Sequence, residues 1–137
     1  MKLGEERQLL AVYGTLKRGL NNAHWMQGSV YVGTDVMDRI TLYDLGPYPG
    51  ARLEPSAGVL VEIYAVTEAQ LRHVDILEDY QAEAPQLGMY DRLRLPTRYG
   101  DAWVYVYNRA VDPATAFREG SWQPRHGIAE TEDAERS

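Results

Sequence analysis

Three stretches of this chain alternate with a period of two, and that pattern constrains the fold more than any other feature. In Gly58–Val66, Val59, Val61 and Ile63 fall on one face and Leu60, Glu62 and Tyr64 on the other. In Met89–Leu95, Tyr90, Arg92 and Arg94 oppose Asp91, Leu93 and Leu95, and in Ala102–Tyr107, Trp103, Tyr105 and Tyr107 share a side. Period two is the signature of a strand, whose successive side chains point to opposite faces. Arg98-Tyr99-Gly100-Asp101 separates the last two stretches with a turn signal, so they are expected to form a hairpin. Further strands are expected at Gln8–Tyr13, around the apolar run Leu9-Leu10-Ala11-Val12, and at Ser29–Val36 and Arg39–Leu45. Gly46-Pro47-Tyr48-Pro49-Gly50 reads as a stiff loop.

Helical signals are fewer. Thr67-Glu68-Ala69-Gln70 fits a capping box, with Thr67 as N-cap, and predicts a helix from Glu68 to about Tyr80. Asn21–Gln27 and Pro113–Glu119 are candidates for short helical turns, the second ended by Gly120. One clear helix among several strands argues for an α+β fold with the sheet curled towards a barrel. No linker or repeat interrupts the chain, so one domain is expected over residues 8–123, with 1–7 and 124–137 as tails.

Composition removes several functions. The 137 residues include no cysteine, which excludes a disulfide framework, a thiol nucleophile and a thiolate metal site. The net charge of −6 disfavours a nucleic-acid partner, which needs a basic footprint. Part of that acidity lies in His126–Ser137 and reads as a solvated tail. No window approaches the roughly 18 apolar residues of a membrane span, and the N-terminus lacks a signal-peptide core, so a cytoplasmic protein with no membrane partner is expected. His24, His73 and His126 share no metal-ligand spacing, so no metal site is expected. Ten tyrosines against one phenylalanine suit either a small β-rich core or a pocket lined by hydroxyls.

Two motifs carry chemistry. The first strand stops at Tyr13-Gly14-Thr15-Leu16-Lys17-Arg18-Gly19, where a glycine opens a loop able to offer backbone N–H groups to a ligand. Gly14 to Gly19 has the spacing of a P-loop, but Leu20-Asn21 stands where Lys-Ser/Thr is required, so nucleotide binding there is rejected. The second motif is Val74-Asp75-Ile76-Leu77-Glu78. At about 100° per residue, Glu78 falls within about 20° of Leu71, inside the apolar stripe, and Asp75 at its edge. Burial raises a carboxylate's pKa and suits it to proton transfer near neutral pH. Arg92 and Arg94 could bind a carboxylate, although alternate arginines on a strand usually mark a solvated face.

Together these segments resemble the gamma-glutamylcyclotransferase-like family from roughly Leu9 to Trp122, and the bacterial branch near the gamma-glutamylamine cyclotransferases in particular. The resemblance rests on six pieces in order: Tyr13-Gly14-Thr15-Leu16-Lys17-Arg18-Gly19, Tyr48-Pro49-Gly50, the Gly-x-x-x-Glu-x-Tyr strand Gly58–Tyr64, Val74-Asp75-Ile76-Leu77-Glu78, Tyr90-Asp91-Arg92, and Trp103-Val104-Tyr105-Val106-Tyr107. It implies an α+β fold built as a small mixed β-barrel with flanking short helices. It also implies an enzyme without a cofactor that closes a γ-glutamyl amide into 5-oxoproline and releases an amine. By this resemblance the backbone of Tyr13, Gly14, Thr15 and Leu16 holds the substrate, Glu78 moves the proton, and Tyr90 with Tyr105 or Tyr107 walls the pocket. The segment Gln81–Gly88, which carries Pro85, is longer than the pattern and reads as a lid or as a determinant of the amine. The alternative is a small-molecule binding protein on the same fold.

Overall fold

In the computed structural model, residues 7–14, 16–17, 26–46 and 48–122 are described. The chain runs β1 (Arg7–Val12), β2 (Val30–Met37), β3 (Thr41–Asp44), β4 (Pro49–Arg52), β5 (Gly58–Thr67), α1 (Glu68–Leu77), β6 (Tyr90–Thr97), β7 (Gly100–Tyr107), and the two-residue strands β8 (Ala116–Phe117) and β9 (Glu119–Gly120). The main sheet has the order β2-β5-β1-β7-β6, with β9 added to β5. It is mixed, because β1 pairs antiparallel with β5 but parallel with β7. That central place explains the unbroken apolar run of β1. A strand covered on both faces has no polar side, and Leu10, Ala11 and Val12 are all buried.

The two faces of the main sheet carry separate cores. On one, Leu10 and Val12 of β1 and Tyr64 and Val66 of β5 meet Leu71 and Val74 of α1. On the other, Ala11, Val59, Val61, Ile63 and Val104 meet Leu42 and Ala51 from a second sheet of order β4-β3-β8. The alternation expected for Gly58–Val66 is therefore observed, with Val59, Val61 and Ile63 buried on the second face. The expected hairpin is present as well: Thr97 pairs with Gly100, so Arg98 and Tyr99 form its turn. Gly100 enters β7 at φ 124, a conformation for which glycine has no steric penalty.

Among the described residues no ladder closes these sheets into a barrel. The hairpin tip does reach across to β2, where the Arg98 N–H donates to Asp35 at 2.8 Å and the Tyr99 hydroxyl lies over Gly33. Two features keep the edges from pairing. β2 carries an irregularity between Tyr31 and Gly33, and β6 holds Pro96, which has no N–H to give a neighbouring strand.

Four expectations need correction. Pro49–Arg52, read as part of a stiff loop, is strand β4 paired with β3. Its proline is tolerated because it opens an edge strand. Pro113–Glu119 is helical only as a 3-10 turn at Pro113–Thr115 and then joins the two sheets through β8 and β9. Arg7, placed in a tail, opens β1. The helix stops at Leu77 rather than near Tyr80, for a reason that shapes the site. Most of the expected turn at Asn21–Gln27, like Thr15, His24 and His126, lies outside the described residues.

Candidate active site

The capping box starts α1 as expected: the Thr67 hydroxyl accepts from the Gln70 N–H at 3.1 Å, and the Gln70 side chain accepts from the Thr67 N–H at 2.9 Å. Leu71 and Val74 then bury the helix against the sheet. Each such side chain contributes about 1.5–3 kcal/mol. The other end is a Schellman motif. Glu78 is the C-cap, and Asp79 follows with φ 56 in the left-handed region. The Asp79 N–H donates to the Ile76 carbonyl at 3.2 Å and the Tyr80 N–H to the Asp75 carbonyl at 2.9 Å. These are the two backbone bonds that terminate a helix around a left-handed residue. Asp79 holds the conformation that glycine ordinarily takes, and its carboxylate accepts from the Met89 N–H and the Gln81 side chain.

Glu78 therefore does not sit in the middle of a buried stripe. It is half-buried on the capping turn. Its charge nevertheless acts on three buried tyrosines. Tyr13 and Tyr90 have pKa values raised well above normal and Tyr105 is raised too; burial is the largest cause in each, and the Glu78 carboxylate adds to all three. One end of the helix thus brings together Glu78, Tyr13, Tyr90 and Tyr105, which the sequence places in four separate segments. Tyr107 joins them edge-on to Tyr90, with ring centroids 5.3 Å apart.

The tyrosine hydroxyls are committed to the protein. Tyr13 donates to the Tyr105 carbonyl at 2.7 Å and accepts from the Ala51 N–H at 3.3 Å. Tyr90 donates to the Pro49 carbonyl at 2.8 Å, and Tyr105 donates to Asp75 at 2.6 Å. All three stay protonated near neutral pH, which keeps them as donors. The pocket lined by free hydroxyls that the tyrosine count allowed is not what these three build. They form a wall of low polarity beside a carboxylate.

The glycine loop abuts that wall. A Cβ on Gly14 would lie 2.8 Å from both Pro49 Cδ and Cγ, so only glycine admits the β4 strand so close. Leu16 is buried in the helix-side core. The Lys17 N–H donates to the Gly14 carbonyl at 3.0 Å, so this one backbone donor closes the turn and is not offered to a ligand. Lys17 itself is buried. Its amine donates to Ser121 Oγ at 2.5 Å and to the Trp122 carbonyl at 2.8 Å, bracing the loop from the far end of the described chain. Burial pushes its pKa down, and the charge of Glu62 pulls it part of the way back.

Arg92 departs from the solvated-face reading. Its Nε and Nη2 bind the two Asp75 oxygens at 2.8 and 3.0 Å, with the arginine side chain only 11% exposed and the aspartate 13%. Tyr80 and Trp103 rings flank its guanidinium at 4.5 and 4.3 Å. The 81–88 segment is held by Asn108, which donates to the Pro85 and Gly88 carbonyls, and by Arg109, which donates to Gly88. His73 lies exposed on the helix, and no cluster of three metal-ligating side chains is present among the described residues. An open hollow of about 460 Å³ beside Asp38, Arg39 and Leu53 shares no residue with the tyrosine cluster. No helix among the described residues is long and apolar enough to cross a membrane.

A family model described as "Gamma-glutamyl cyclotransferase, AIG2-like" matches residues 10–124, and the chain belongs to that family. It is similar to the gamma-glutamylcyclotransferase family protein YtfP of Escherichia coli strain K12, 37% identical over 114 residues that span 83% of this chain and 95% of the relative. It is also similar to the gamma-L-glutamyl-butirosin B gamma-glutamyl cyclotransferase of Niallia circulans, 33% identical over an aligned length of 138, spanning 93% and 86% of the two chains. Among solved structures, an AIG2-like protein from Mus musculus superposes with a TM-score of 0.73 at 25% identity, covering 90% of this chain and 95% of the other. The chain is thus an enzyme of the gamma-glutamylcyclotransferase type.

Proposed function

We propose that residues 8–123 form a catalytic domain that converts a γ-glutamyl amide into 5-oxoproline and a free amine, with Glu78 as the proton carrier. The observation that carries this reading is the place of Glu78: a half-buried carboxylate on the helix cap, close enough for its charge to help raise the pKa values of Tyr13, Tyr90 and Tyr105, whose hydroxyls are already bonded elsewhere. The substrate's own α-amino nitrogen forms a bond to its γ-carbonyl carbon and closes a five-membered ring. The bond from that carbon to the leaving nitrogen breaks. Glu78 takes the proton shed by the attacking nitrogen and returns it to the leaving nitrogen, so charge and protons balance without a cofactor.

The enzyme's main task is to fold the substrate so that nitrogen and carbonyl carbon meet, which converts binding into proximity. In this reading Tyr13, Gly14, Thr15 and Leu16 hold the glutamyl end through their backbone. Tyr90, Tyr105 and Tyr107 form the wall that keeps water from the reacting atoms. The bonded hydroxyls of Tyr90 and Tyr105 support this division, because neither is left as a loose acid or base to compete with Glu78. The test is 5-oxoproline release, followed by mass spectrometry, from a panel of γ-glutamyl amines and γ-glutamyl amino acids. Glu78→Gln keeps the shape, removes the base, and is expected to lower turnover by roughly 10²–10⁴.

A further inference from the structure

Glu78 is held between two residues that share one partner. In the Schellman motif Asp75 supplies the carbonyl that receives the Tyr80 N–H, so these two residues are the two ends of the turn that contains Glu78. Arg92, from the neighbouring strand β6, grips both. Its guanidinium binds the Asp75 carboxylate through two hydrogen bonds and lies 4.5 Å from the centre of the Tyr80 ring. Trp103 of β7 supports the guanidinium at 4.3 Å, and its indole N–H is fixed in turn by Gln8 of β1 at 2.7 Å. The Asp75 carboxylate also accepts from Tyr105, one of the wall residues beside Glu78.

We propose that Arg92 is a positioning residue of this enzyme: by clamping Asp75 and Tyr80 it locks the helix cap that aims the Glu78 carboxylate at the substrate. The inference rests on the reading of Glu78 as the proton carrier. Three strands of the main sheet take part in the clamp, so the cap is referenced to the same rigid sheet that holds the wall. A surface ion pair has no need of a planar, two-point grip or of aromatic neighbours. An arginine that aligns a turn does, because the fork fixes direction as well as distance. A shift of about 1 Å in a catalytic group is enough to lower a rate by roughly a hundredfold.

Asp75→Asn would leave Arg92 nearly buried without its counter-charge and risks the fold, so the test uses Arg92→Lys, which keeps the charge and loses the fork. With the γ-glutamyl amide that gives most 5-oxoproline in the panel, Arg92→Lys is expected to lower kcat by roughly 10–100-fold and change KM by less than about threefold. Amide exchange of Asp79 and Tyr80, followed by NMR, is expected to speed up by more than tenfold while the β1 and β5 amides stay protected. A wild-type kcat in Arg92→Lys, or unchanged exchange at Tyr80, would overturn the clamp. Glu78→Gln run alongside separates the two failures. If it abolishes turnover while Arg92→Lys does not, the clamp alone is wrong; if it leaves turnover intact, the Glu78 reading and the clamp fall together.

Discussion

Removing the Tyr13 hydroxyl tests how the wall is built. That oxygen bridges two elements: it donates to the Tyr105 carbonyl on β7 and accepts from the Ala51 N–H on β4. Tyr13 is 6% exposed and Ala51 fully buried, so water cannot replace either bond. A neutral hydrogen bond has a net value near 1 kcal/mol, and a buried backbone group left unpaired costs about 1–3 kcal/mol. Tyr13→Phe should therefore destabilise the protein by about 2–3 kcal/mol. For a chain of this size that is a fall in Tm of roughly 6–12 °C. Tyr90→Phe provides the internal comparison, since among the described residues its hydroxyl makes one bond, to Pro49, and does not bridge two groups. Its loss should be about half as large. Differential scanning calorimetry on the two variants decides the matter. A Tyr13→Phe shift below that of Tyr90→Phe would refute the bridge and with it the account of a wall tied across both sheets.

Two further perturbations follow from the same geometry. Gly14→Ala places a Cβ 2.8 Å from the Pro49 ring, whose carbonyl is held by Tyr90, so the strand must shift; a loss of about 1–3 kcal/mol by urea denaturation is expected, with a raised KM because the glycine loop moves. Stability should also fall in alkali. The folded pKa values of Tyr13, Tyr90 and Tyr105 lie above the unfolded value near 10, so their contribution is complete below about pH 10 and is lost as pH rises through the folded values. Lys17 works in the opposite sense: its folded pKa is lowered, so its contribution grows with pH up to about 10.5. Urea midpoints between pH 8 and 11 should therefore decline above about pH 10, and less steeply in Tyr13→Phe.

Much of the fold was legible because its signals are local. Alternation in Gly58–Val66 marked β5 and its inward face, the Thr67 capping box marked the start of α1, and the turn before Gly100 marked the β6–β7 hairpin. What escaped depends on contacts between distant segments. β4 is a proline- and glycine-bearing edge strand whose only signature is its partner β3. β8 and β9 are two residues each, too short for any period to register. The end of α1 was misplaced because apolar periodicity continues past Leu77, whereas the chain turns at Asp79 in a conformation that gives no warning when the residue is not glycine. The site was half legible. Glu78 and the tyrosines stood out by type, but Glu78 was expected within a stripe and is found on a cap. Arg92 looked like part of a charged strand face because nothing local shows that Asp75 lies across from it. Lys17 carries no mark of burial at all, since the atoms that cover its amine come from Ser121 and Trp122.

If Glu78 carries the proton in an intramolecular ring closure, its loss must show in the rate of 5-oxoproline formation by Glu78→Gln against the unaltered enzyme, measured on the best γ-glutamyl amide of the panel and at matched folded fraction. A fall of roughly 10²–10⁴ in kcat with Tm little changed is the expected result. Turnover within a few-fold of the unaltered enzyme would contradict the account and move the chemistry to another group.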